Sequence, residues 1–109
     1  MILEVITLED AIPEEPVSLT QSDVDEGNYY VSGFLSRLRR DPETLTEEEK
    51  EMLKDLALAY AYYRAYLREA VNDADAYAVK VKRYKELYQQ KARLLEARLF
   101  DWNIRIWRG

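Results

Sequence analysis

Carboxylates are the residues of this chain best suited to chemistry. They cluster at Glu47-Glu48-Glu49 and at Asp73 and Asp75. General acid–base catalysis needs two such groups held in a dry pocket with pKa values pushed apart. Both clusters sit where a helix is expected to start, and acids there complement the helix dipole without any catalytic role. The chain has no histidine and no cysteine. That removes imidazole and thiolate catalysis, disulfides, Cys/His zinc sites and histidine-held haem, and it deprives a di-iron bundle of its Glu-x-x-His pairs. Asp23-x-Asp25-x-Gly27 resembles the start of a calcium loop, but the glycine falls at position 5 instead of 6 and Phe34 stands where position 12 needs a glutamate. Gly27 and Gly33 are spaced wrongly for a phosphate loop, and no Lys-Ser/Thr follows them. No catalytic residue, cofactor site or metal ligand set is expected. The chain reads as a non-enzyme that works by binding.

Three features could bind. The first is aromatic: nine tyrosines, two tryptophans and two phenylalanines in 109 residues. Tyr60, Tyr62, Tyr63 and Tyr66 together span most of the circumference of one helical stretch, so they cannot all face one small core. Tyr60 and Tyr63 are expected in the core. Tyr62 and Tyr66 are expected to face another protein, because tyrosine is enriched at interfaces.

The second feature is charge. Residues 1–55 hold 15 acids and 5 bases, whereas residues 56–109 hold 6 acids and 11 bases. An acidic half and a basic half can join copies head to tail. Asp23, Asp25 and Glu26 on one side and Lys80, Lys82, Arg83 and Lys85 on the other are the expected self-association residues, together with Tyr62 and Tyr66. The basic stretch could equally touch phosphates, although the whole chain is acidic and carries no known DNA-binding motif.

The third feature is the C-terminal stretch, where Phe100, Trp102, Ile104 and Ile106 alternate with polar residues and Trp107 follows. A period of two predicts an extended segment. It is too apolar to remain in water, so it either folds back or docks on a partner, as extended peptides do at a sheet edge. Phe100, Trp102, Ile104, Ile106 and Trp107 are the expected partner-binding residues.

These features need elements to position them. Composition is globular, with 48 % hydrophobic and 34 % charged residues. Three glycines and three prolines favour long helices. No apolar run approaches a membrane span and no signal peptide is visible, so a soluble, intracellular protein is expected. Residues 1–21 read as an extended segment with one helical turn after Thr7, and Glu14 and Glu15 between Pro13 and Pro16 should lie in an exposed loop. A first helix is predicted over 22–40. Gly27 and Gly33 inside it mark either close packing or a tolerated weakness. Thr46 and Glu49 form a capping box that opens a helix over 47–71. Its stripe is Leu53, Leu56, Ala57, Tyr60, Tyr63, Leu67, Ala70 and Val71. Asp73 or Asp75 should cap a third helix ending near Leu99, roughly 39 Å long. The expected fold is all-α: a long antiparallel helical hairpin with a preceding shorter helix and extended N- and C-terminal segments. Residues 1–99 form the single domain and 100–109 its tail.

Thr7-Leu8-Glu9-Asp10, Ser22-Asp23-Val24-Asp25, Tyr29-Tyr30, Gly33-Phe34-Leu35, the run Leu56 to Arg64 and Tyr84-Lys85-Glu86-Leu87 together form a pattern that resembles the head–tail connector, or adaptor, proteins of tailed bacteriophages over about residues 7–95. The resemblance implies a small helical virion protein located at the head–tail interface. It implies a homo-oligomeric ring, usually of twelve copies, beneath the portal protein, with a tail or second connector protein below. DNA would pass through its channel without sequence-specific contacts. The long third helix and tryptophan-bearing tail depart from that pattern. The alternative reading is a small helical protein-interaction or nucleic-acid-binding regulatory protein that uses the basic third helix.

Overall fold

The computed structural model describes the backbone of residues 3–71 and 74–108, and the side chains of 3–71 and 76–99. Three α-helices carry the fold: α1 (Gln21–Arg37), α2 (Glu47–Ala70) and α3 (Ala74–Arg108). No strand occurs among the described residues, so the chain is all-α. Single 3-10 turns at Leu8–Asp10 and Pro42–Thr44 punctuate the connections.

Each described helix start is closed locally. Thr20 and Asp23 form a capping box on α1, and Thr46 and Glu49 form one on α2. Thr7 and Asp10 do the same for the first 3-10 turn. Of the two expected caps of α3, Asp73 lies outside the described residues and Asp75 falls inside the helix. α1 ends in a Schellman motif, with the Arg40 N–H donating to the Leu35 carbonyl at 3.0 Å and the Arg39 N–H to that of Ser36 at 3.1 Å. Arg39 takes the left-handed position that glycine usually fills, at φ 55°.

α2 is the centre of the molecule. Leu53, Leu56, Ala57, Ala61 and Ala65 of α2 are all at 1 % exposure or less, and α1 packs on this helix at Ala57. There Gly27 of α1 comes so close that a Cβ would lie 2.6 Å from the Ala57 carbonyl oxygen. Of the two readings for the helical glycines, close packing holds at Gly27. It does not hold at Gly33, where a Cβ would meet nothing within 4 Å.

α3 pairs with α2 in the opposite direction. Tyr77 meets Tyr66, Tyr84 stacks on Tyr62 and Tyr66, Tyr88 meets Tyr60 and Tyr63, and Arg98 reaches Glu48 and Glu49.

The expected extended tail is not what the backbone does. α3 continues without a break to Arg108, about 52 Å of helix, which matches the 53 Å long axis of the molecule. The physical reason lies in the spacing. Leu95, Leu99, Trp102 and Ile106 recur at 4, 3 and 4, and Phe100, Ile104 and Trp107 at 4 and 3, so the same residues that alternate also fit two separate helical stripes.

Candidate functional site

The N-terminal segment 3–19 builds the first polar site, because it lies across the helices instead of dangling. Asn28 sits at 4 % exposure on the α1 stripe. Its Oδ1 accepts from the Val5 and Ile6 N–H groups at 2.9 and 3.0 Å, and its Nδ2 donates to the Ile6 carbonyl at 3.0 Å. One amide side chain thus supplies the backbone bonds that a neighbouring strand would otherwise give. The Ser32 hydroxyl accepts from the Leu3 N–H at 2.8 Å. Further along, the Ile12 N–H donates to the Tyr62 hydroxyl at 2.6 Å.

Glu15 then closes the segment onto both long helices. Its carboxylate accepts from the Tyr66 hydroxyl, from that of Tyr84 at 2.5 Å and from the Lys80 ammonium at 3.3 Å. Burial pushes the Glu15 carboxyl upward, but these three donors outweigh it and hold its pKa below the usual value. Burial, reinforced by the facing Glu15 charge, raises the pKa of both tyrosine hydroxyls. Lys80 also lies 5.7 Å above the Tyr66 ring. The expectation of an exposed loop therefore fails at Glu15 and holds at Glu14.

This segment overturns the role expected for Tyr62 and Tyr66. They are 1 % and 0 % exposed and cannot face another protein. The α2 surface that periodicity left open to solvent is roofed by residues 11–19 and by Tyr84. Tyr60 and Tyr63, the expected core pair, are only half-buried.

The charge split also finds an outlet within the chain. Asp23, 5 % exposed, accepts from Arg68 Nη1 at 2.7 Å on each oxygen and completes the α1 cap. Arg98 pairs with Glu48 at 3.0 Å and Glu49 at 3.3 Å. Lys54 pairs with Asp10 at 3.0 Å. Asp23 and Lys80 are thus engaged inside one copy, which corrects their expected place on a self-association surface. Asp25, Lys82, Arg83 and Lys85 are exposed, and Glu26 is half-buried. The carboxylates of Glu47, Glu48 and Glu49 hold Lys50, Arg98 and the α2 cap. No group of three or more potential metal ligands lies together among the described residues.

Glu26 borders an open groove that periodicity did not reveal. Tyr29, Tyr30, Gly33, Arg37 and Tyr60 line it with Glu26, around about 390 Å³. Tyr29 is 64 % exposed. Behind it, Tyr30 tilts against Tyr60 at 4.4 Å and meets Tyr88 edge-on at 5.6 Å between ring centroids.

The expected partner-binding side chains of Phe100, Trp102, Ile104, Ile106 and Trp107 lie outside the described residues. Their backbone belongs to α3. Arg98 pairs with the first turn of α2 and Leu99 is still fully buried, so the backbone of residues 100–108 continues about 14 Å farther along the axis, where α2 offers no further turn. Among the described residues no helix is long and apolar enough to cross a membrane. Comparison of the chain with family models, curated proteins and solved structures finds no match to any of them.

Proposed function

We propose that this protein is a structural subunit that works by binding rather than catalysis, and that it serves as a head–tail connector of a tailed phage virion. Copies would form a ring beneath the portal, extend the DNA channel and meet a tail or second connector protein below. The observation that carries the binding reading is the end of α3. An unbroken helix passes the start of α2 and takes Phe100, Trp102, Ile104, Ile106 and Trp107 with it. A straight helix cannot turn back on its own bundle, so apolar residues at its end call for another chain. The connector assignment rests on the resemblance of residues 7–95. The extended shape and the small, tightly roofed body support a building block.

Deleting residues 100–109 tests the reading. The truncated chain should keep its helical circular dichroism and lose assembly, measured by sedimentation velocity alone and with a portal protein. A stable truncated chain that still assembles overturns it. The second reading, nucleic-acid binding, is favoured by the exposure of Lys82, Arg83 and Lys85 on α3. It predicts DNA binding by a monomer or dimer that weakens steeply with salt.

A further inference from the structure

We propose that the groove over Gly33 receives the C-terminal end of α3 from a second copy of the chain. The proposal rests on the reading of residues 100–108 as an intermolecular anchor and names the site that accepts them.

Gly33 is the first observation. A helix-interior glycine costs about 1 kcal/mol against alanine. Gly27 has a reason within the chain, since any side chain there would strike the Ala57 carbonyl. Gly33 has none: the space around its missing Cβ is empty to 4 Å. An exposed bare patch of helix, walled by Tyr29 and Tyr30 on one side and Arg37 on the other, lets another helix approach closely. About 390 Å³ of open space is in the range that accepts a bulky side chain.

The second observation is charge order. Glu26 and Arg37 stand at opposite ends of the groove, about 16 Å apart along α1. In the α3 end, Asp101 precedes Arg105 and Arg108, with about 10 Å between the first and last. Laid antiparallel to α1, the segment brings Asp101 toward Arg37 and its two arginines toward Glu26. Their long side chains span the remaining distance. The parallel orientation opposes like charges at both ends.

The third observation is reach. α3 runs past α2 in a straight line, so the segment cannot enter the groove of its own copy. The groove and the α3 end are two different surfaces, so the contact is heterologous. Such contacts repeat from copy to copy and close into a ring when the rotation permits.

Substitution at Gly33 separates this contact from folding. In the full chain, Gly33→Leu adds a strong helix former at an exposed position whose Cβ meets nothing within 4 Å, so its melting temperature should match or exceed that of the wild type. Self-association, read by sedimentation velocity, should weaken by at least about thirtyfold, the usual loss when a buried anchor is removed. Trp102→Ala in the full chain should weaken it similarly. If Gly33→Leu assembles normally while Trp102→Ala does not, the α3 end docks elsewhere and the groove proposal is overturned alone. If both assemble normally, the reading of the α3 end as an anchor falls with it. A cross-link provides an independent measurement, because the chain has no cysteine of its own. Mixed Gly33→Cys and Ile106→Cys chains, with position 106 one turn from Trp102 on the same face of α3, should form a disulfide-linked pair under mild oxidation. Homodimers alone would reject the contact.

Discussion

Glu15 holds two tyrosine hydroxyls and a lysine ammonium while flanked by an exposed neighbour and a proline. Its folded-state pKa is lowered, so the stability it contributes is fully present above its unfolded value of about 4.3 and is lost as pH falls through the folded value. Glu49, lowered by Thr46 and Arg98 against the pull of burial, adds in the same direction. Urea titrations should therefore show a steep loss of stability below about pH 4.3, flatter in Glu15→Gln. An identical acid slope in that variant would show that the carboxylate is not the titrating clamp. At neutral pH, Glu15→Ala should cost about 1–3 kcal/mol, since it strands buried hydroxyls. The two α1 glycines offer a contrast at the same scale. Gly27→Ala should cost about 1–3 kcal/mol by forcing α1 off the Ala57 carbonyl. Gly33→Ala should stabilise by up to about 1 kcal/mol. Equal effects of the two substitutions would mean that helix propensity alone governs both sites.

At the scale of elements, α1 is stopped by a Schellman turn with Arg39 where glycine fits best. Arg39→Gly should raise stability by about 0.5–1 kcal/mol, the left-handed strain relieved less the added entropy of the unfolded chain. A loss on chemical denaturation would mean that the arginine side chain outweighs that strain. The α2–α3 pair depends on its tyrosine contacts and on a flank of small residues toward α1. Leu56, with no exposed surface, should cost about 2–5 kcal/mol on truncation to alanine. A loss below about 0.5 kcal/mol, ordinary for a surface site, would contradict its burial.

Across the whole molecule, opposite charges of the two halves meet inside one copy at Asp23–Arg68, Glu15–Lys80 and Glu49–Arg98. The contact proposed between copies takes its direction from two rim charge pairs, Asp101 with Arg37 and Arg105 or Arg108 with Glu26, each worth little in water, and most of its affinity from apolar anchors. Self-association should therefore change little between about 0.1 and 1 M salt, although the screening length shrinks from about 10 to 3 Å. Ultracentrifugation across that range checks it. A steep decline would return the contact to exposed charges such as Lys82, Arg83 and Lys85.

The helices were legible in the sequence because their causes are local. The Thr20–Asp23 and Thr46–Glu49 boxes act over three residues, and the stripe from Leu53 to Ala57 repeats within one turn. Residues 100–108 carried two periods at once, and local pattern could not separate strand from helix there. Asn28 gave a sign that periodicity alone passes over, a polar residue standing between Val24 and Val31 on a buried stripe. The groove at Gly33 gave none beyond the glycine itself. The choice of which tyrosines go inside, and the fate of Glu15, belonged to the tertiary structure alone. Tyr62 is covered by a backbone 50 positions away, and Glu15 meets Tyr66 and Tyr84 across 51 and 69 positions. A helical period reports that a face exists. Which faces become the interior depends on where the rest of the chain lies, because burial is a property of the surface that arrives to cover them.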